Sequence, residues 1–415
     1  MLEIAAVCLV ITALLGYLNH RYLGLPGAIG MMAASLALSL VLVGLDAAGI
    51  VGSAHVLHQY AETLVRSVDF SNVLMQGMLS MLLFAGALHV DLKQLEVYRW
   101  PVAALAVLGT MLSTVAVGYG MWAALPLLHL QLPLIYCLLF GALISPTDPI
   151  AVMSILKSAQ APKELELVIA GESLFNDGVA VVIFTLLLGM LASGTPPTVD
   201  QGLQLLAHEA GGGVLFGLVL GYVLFRMLRS VDSYEVEVLL TLAAVMGGYV
   251  LASKLHVSGP LAMVVVGLII GNQGRALAMS DTTRRYLDMF WELLDQILNA
   301  VLFVLMGMAV LLVTFRLGEW VGMALAIAVT LLARTVVVGL PVALMPRAFN
   351  LPRGSWKVLI WGGLRGGISV ALALSLPAGP ERDTVVALTY GVVVFSIFAQ
   401  GLTIRHVTRK ALARQ

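Results

Sequence analysis

Two carboxylates, a carboxamide and a hydroxyl fall within the six residues Glu172 to Asp177 of the run AGESLFNDG (170–178), in the middle of an apolar stretch. On a helix, residues four apart share a face, so Glu172 stands beside Asn176 and Ser173 beside Asp177, forming two neighbouring polar rows. A hard monovalent cation that sheds its water needs oxygen ligands, and Ser173, Asn176 and Asp177 all offer them. A second run, SPTDPIAV (145–152), interrupts another apolar stretch. Pro146 and Pro149 each remove a backbone donor and disfavour helix in the residue before them, which predicts an extended segment. Unwound backbone at membrane depth survives only where it is buried in protein or lines a watery cavity. Asp148 followed by Pro149 also reads as a helix N-cap with proline at the first helical position, so capping and ion ligation are both open for Asp148.

Two basic residues lie equally deep: Arg334, and Arg365 within Gly362, Gly363, Leu364, Arg365, Gly366 and Gly367, where four glycines weaken the helix. Asp148, Glu172 and Asp177 against Arg334 and Arg365 leave one acid unpaired. In a low-dielectric interior that acid must be protonated or hold a cation. An acid with that choice is a proton/cation exchange site. A buried hydrogen-bond network that ties helices together is the better reading for any single serine or asparagine here. For Asp177 the cost of a carboxylate in lipid favours function.

The elements that position these residues follow from composition. The 415 residues are 60% hydrophobic and 11% charged, whereas soluble proteins carry roughly 25% charged residues. That excludes a soluble globular enzyme. Apolar windows predict thirteen membrane spans, among them span three at about 70–90, span five at about 132–156, span six at about 164–191, span ten at about 295–315 and span twelve at about 355–378. Seventeen of the 23 basic residues fall in alternate loops, four in the opposite loops and two, Arg334 and Arg365, inside spans. Basic loops face the cytoplasm, which places the amino terminus outside and the carboxyl terminus inside. Cys8 and Cys137 sit in apolar spans with no metal-ligand spacing, so neither a disulfide nor a zinc site is expected.

The expected fold is an all-α polytopic membrane protein forming a single transporter domain over 1–415. Spans five and twelve, both interrupted, differ by seven in order, as do one and eight. This divides the chain into a first inverted repeat (1–191), a linker helix (209–229), a second inverted repeat (235–405) and a short cytoplasmic tail (406–415). Matching interruptions in two inverted halves point to a transporter site between them. Gly213, Gly217 and Gly221 leave a smooth stripe on the linker helix for close helix packing. The stretch from Asp281 to Asp295 mixes charges with Leu287, Phe290 and Trp291, predicting a cytoplasmic interfacial helix ahead of span ten. An ion channel is the rival outside carriers, but there is neither a filter-like carbonyl run nor a ring of charges. An intramembrane zinc hydrolase is weaker still, since His208 and Glu209 lack the second histidine of a zinc-binding helix.

With SPTDPIAV (145–152), GESLFNDGVAVVIF (171–184), LLARTVVV (331–338) and GGLRGGISVAL (362–372), the chain resembles, over essentially its whole length, the NhaP-type branch of the monovalent cation:proton antiporters, which includes the animal sodium/proton exchangers. The resemblance implies thirteen spans with crossed, broken fifth and twelfth helices. It implies a homodimer in the plasma membrane whose core domains move like elevators against a fixed dimerisation domain. It also implies that Asp177 is the transporting carboxylate for Na+, Li+ and H+, completed by Ser173, Thr147 and Asp148, with no cofactor, no resident metal and no nucleic-acid partner. Glu172 would pair with Arg334, Asn176 would help to hold that pair, and Arg365 would compensate the helix ends at the crossover. Relatives with two adjacent aspartates tend to be electrogenic, so Asn176 before Asp177 implies electroneutral 1:1 exchange. Potassium in place of sodium is the alternative cargo. One departure stands out: many relatives carry an acid in a span-three run like LLFEGGL, whereas this chain reads LLFAGAL, with Ala85 at that position.

Overall fold

The computed structural model describes residues 2–47, 77–148, 152–153, 156, 161–193, 204, 207–308 and 317–412. Among these residues the regular elements are helical and there is no strand. In chain order they include α1 (Leu2–Leu18), α2 (Gly27–Ala47), α3 (Leu79–Leu88), α4 (Thr110–Ala124) and α5 (Leu134–Ile144). Then follow α6 (Lys163–Ser193), α7 (Gly212–Leu228), α8 (Tyr234–Lys254), α9 (Gly259–Ile269) and α10 (Asp281–Met308). The last are α11 (Leu317–Arg334), α12 (Ser355–Trp361), α13 (Gly367–Leu374), α14 (Pro380–Phe395) and α15 (Gly401–Leu412). Nine helical stretches among the described residues are long and apolar enough to cross a membrane, and three more apolar helices are shorter, Ile29–Leu42, Leu79–Leu88 and Leu134–Ile144. Large apolar side chains such as Leu108, Leu112, Leu215, Val219 and Leu239 face outward, as a lipid solvent permits and water does not.

The helices pack as two groups. In one, α4 and α5 lie together, α6 packs on α5, α11 on α14, and α13 on α14. In the other, α7 and α8 pack on α9, α3 on α9, and α10 on α2. Within it, α3, α7, α8, α9 and the first half of α10 share an apolar core that includes Phe84, Leu88, Tyr249, Met263 and Trp291, whereas α2 and the second half of α10 join the larger core. The glycine stripe of α7 provides the close approach expected of it. A Cβ added at Gly217 would meet the Ala262 main chain at 2.8 Å, and backbone cannot step aside as a flexible side chain can.

Both interruptions that the sequence predicts are present. The helix α5 ends at Ile144, and residues 145–148 are not helical; the remainder of span five lies largely outside the described residues. Span twelve divides into α12 and α13 across residues 362–366. The two unwound segments cross, because the Asp148 N–H donates to the Leu364 carbonyl at 2.8 Å. The glycines of span twelve have a reason beyond weak helix propensity. A Cβ at Gly363 would collide with the Arg334 guanidinium and one at Gly366 with the Asp148 side chain. The charged stretch from Asp281 is helical and leads without a break into span ten, since α10 runs from Asp281 to Met308. No proline or glycine occurs between those limits until Gly307, so nothing in the chain breaks the helix there.

A buried ion pair closes the first group. Arg334, at the end of α11, donates to Glu172 of α6 from both terminal nitrogens, at 2.8 and 3.3 Å, and from Nε to the Leu359 carbonyl of α12 at 3.1 Å. Glu172 is 2% exposed and Arg334 6%, so three helices are joined where water does not compete. Removing one partner strands the other charge, at a cost of about 3–5 kcal/mol, whereas replacing both with apolar residues is far less damaging. Thermal unfolding in detergent should therefore show a large loss for Arg334→Met and for Glu172→Leu, and a double variant less destabilised than the sum. The same assay should show Gly217→Ala destabilising by about 1–3 kcal/mol. Gly247→Ala on α8, where an added Cβ meets nothing within 4 Å, should be tolerated.

Candidate cation-binding site

The two polar rows of α6 go to different tasks. The row of Glu172 and Asn176 faces protein: Glu172 takes Arg334, and Asn176 donates from Nδ2 to Thr147 Oγ1 at 3.0 Å. The row of Ser173 and Asp177 faces a cavity. Thr147 joins the two, its hydroxyl lying 2.9 Å from Ser173 Oγ as well as accepting from Asn176. A hydroxyl in that position sits on the unwound stretch of span five, where its orientation is fixed by two neighbours from one helix.

The Asn176 amide donates to Thr147, and among the described residues its buried Oδ1 has no hydrogen-bond partner. The Arg334 guanidinium is engaged on three sides, by both Glu172 oxygens and the Leu359 carbonyl. Arg365 is 4% exposed and donates to the carbonyls of Ser145 and Pro146, at 2.5 and 2.8 Å. Those carbonyls belong to the C-terminal end of α5, which carries partial negative charge, so a guanidinium there is the complementary group. The Arg365 N–H is itself held by Ser396 Oγ at 2.6 Å.

The cavity measures about 180 Å³, enough for a cation with several waters at about 30 Å³ each. It brings together Thr147, Asp148, Ser173 and Asp177, all four residues expected to bind the cargo. Gly366 and Ser369, from the second broken helix, form part of its wall. Thus both unwound segments and α6 meet at one polar space. The alternative role of Asp148, capping a following half-helix, turns on residues 149–151, which lie outside the described residues.

The charge inventory read from the sequence is incomplete. Asp295 and Asn299 of α10 line the same cavity, and Glu237 of α8 is wholly buried, with one oxygen accepting from Thr283 Oγ1 at 3.2 Å. Asp295 is overlooked when a span is drawn to begin there, because a charge at a span edge passes for an interfacial one. Its spacing of four from Asn299 was the available signal. Among the described residues no three His, Cys, Asp or Glu side chains converge as a metal cluster; Asp148, Asp177 and Asp295 all line this one cavity.

Comparison with known proteins agrees with this geometry. The family described as "Sodium/hydrogen exchanger, transmembrane" matches residues 9–410. The chain is 52% identical over 423 aligned residues to the Na(+)/H(+) antiporter NhaP of Pseudomonas aeruginosa, covering the whole of this chain and 98% of that protein. It is 35% identical over 380 residues to the Na(+)/H(+) antiporter NhaH of Halobacillus dabanensis, covering 90% of this chain and 91% of that one. Its fold superposes on the sodium proton antiporter MjNhaP1 from Methanocaldococcus jannaschii at pH 8, with a TM-score of 0.76 over 98% of this chain and 97% of that one, at 19% identity. A helical membrane protein with this crossover, this cavity and these relatives belongs to the sodium/hydrogen exchanger family.

Proposed function

We propose that this protein is a secondary antiporter that exchanges a monovalent cation, Na+ and also Li+, for H+. Asp177 alternately holds the two. The observation that carries this reading is one cavity in which the Asp177 carboxylate shares a wall with Ser173, Thr147 and Asp148 at the crossing of two unwound segments. A carboxylate in such a place cannot stay empty and charged at low cost, so it takes either a proton or a cation. Competition for that one group couples the two fluxes without a further device.

Several features follow from the reading. Asn176 supplies no second titrating group beside Asp177, which supports electroneutral exchange of one proton for one cation. Glu172, Arg334, Asn176 and Arg365 structure the site without carrying cargo. Nine long helices, three shorter apolar ones and the divided pair α12 and α13 support a thirteen-span count. The division of the helices into two packed groups supports an elevator in which the group holding Asp177 slides against the other, the latter forming a homodimer. The distribution of basic loops supports an outside amino terminus and a cytoplasmic carboxyl terminus in the plasma membrane. Such an exchanger, driven by the proton gradient, adjusts cytoplasmic sodium and pH. The names of its relatives, Na(+)/H(+) antiporters, favour sodium over potassium as cargo.

In proteoliposomes carrying a pH dye, wild type should show proton flux on addition of sodium or lithium, and Asp177→Asn should show none. Retained flux in the variant would move the site elsewhere. If the proton and cation compete for one carboxylate, the apparent KM for sodium should rise about tenfold per pH unit below the pKa of that group, with the maximal rate unchanged. Rates measured under an imposed membrane potential of either sign should be equal, and a clear dependence on potential would exclude 1:1 exchange.

A further inference from the structure

Asp288, Glu292, Asp295 and Asn299 follow one another along α10 at spacings of four, three and four, so they form one stripe on one face of that helix. Over eleven residues the stripe is about 16 Å long. Its two ends differ. Asp288 is ion-paired with Arg275, and Glu292 is exposed, as interfacial charges are. Asp295 and Asn299 instead line the cavity that holds Asp177. Asn299 is 7% exposed and donates from Nδ2 both to Asp295 Oδ1 at 3.1 Å and to the Asp295 carbonyl at 2.9 Å, which fixes the carboxylate in one orientation. Beyond Asn299 the face turns apolar, beginning with Leu302 on the cavity wall. The polar stripe therefore leads from the charged end of α10 to the cavity and stops there.

We infer that Asp295, oriented by Asn299, is a specificity- and affinity-determining carboxylate on the path to Asp177, holding the incoming monovalent cation before the exchange site does. The inference rests on the antiport reading above. A carboxylate whose only task is to keep a helix end wet belongs in the open, as Glu292 is; Asp295 faces the same cavity as the exchange residues. Clefts lined by charge of one sign raise the local concentration of counter-ions by about 10- to 10³-fold. Span three brings no charge to this space: Ala85 is 1% exposed, and the residues of its run on the cavity wall are Leu82, Leu83 and Gly86. Asp295 supplies from α10 a charge that α3 lacks.

The test compares wild type, Asp295→Asn and Asp295→Glu in sodium-driven proton flux from proteoliposomes, together with sodium-dependent thermal stabilisation in detergent, which needs no turnover. Asp295→Asn should raise the apparent KM for sodium about tenfold, with a maximal rate near wild type. The sodium concentration giving half of the stabilisation should move in the same direction, and Asp295→Glu should restore both. A purely structural role would lower melting temperature or maximal rate without this split and without rescue by glutamate. An unchanged KM in Asp295→Asn, beside an active wild type, overturns the inference and leaves the antiport reading intact. Complete loss of exchange in a folded Asp295→Asn also overturns it, by placing Asp295 in the exchange site itself. If wild type exchanges no cation, the antiport reading fails, and an unshifted stabilisation midpoint in Asp295→Asn then removes the inference as well.

Discussion

Peptide groups that leave helical geometry inside a membrane have no water to fall back on, and the arrangement of this protein depends on how two such segments satisfy one another. Residues 145–148 and 362–366 cross, exchanging a main-chain hydrogen bond from Asp148 to Leu364. Arg365 completes the crossing by donating to the buried carbonyls at the end of α5 that have left the helical ladder. An unsatisfied backbone group in hydrocarbon costs several kcal/mol, so each interruption is tolerable only because the other is beside it. The polar space at their crossing is the by-product, and α6 presents Ser173 and Asp177 to it.

The buried charges divide by what they touch. Glu172 and Arg334 are spent on one another, and Arg334 is not part of the wall of the cavity that holds Asp177. Thr147 is held by Ser173 and Asn176, so its position is set by α6 even though its backbone is unwound. Six residues of one helix thereby present Asp177 to the cavity, orient a hydroxyl from the opposing segment, and anchor α6 to α11 and α12. Preorganisation of this kind would keep the cost of desolvating a cation proposed to bind there low, because the oxygens are in place before it arrives.

Much of this was legible in the sequence because lipid makes polar residues conspicuous. Asp177, Ser173, Glu172 and Arg334 stand out in apolar runs, and helical periodicity alone separates the two rows of α6. The prolines of span five and the glycines around Arg365 mark where helix stops. What was not legible concerns contacts across elements. Periodicity places Asn176 beside Glu172 but cannot show that its amide turns to Thr147. Composition explains Gly363 and Gly366 as weak helix formers, whereas the structure explains them by the side chains of Arg334 and Asp148 that occupy the space of a Cβ. Asp295 was hidden by a boundary: hydropathy dilutes a charge near the end of a window, and only the continuity of α10 shows how far inward that residue lies.

The link between Asp148 and Leu364 joins main chain to main chain. Ordinary substitution at either position keeps both the donor and the acceptor, and only proline at 148 deletes one of them. The coupling between the two broken helices is thus largely immune to mutational drift, while the side chains lining the cavity are free to change. Descendants of such a scaffold can alter which ion they select without first reinventing the joint on which transport turns.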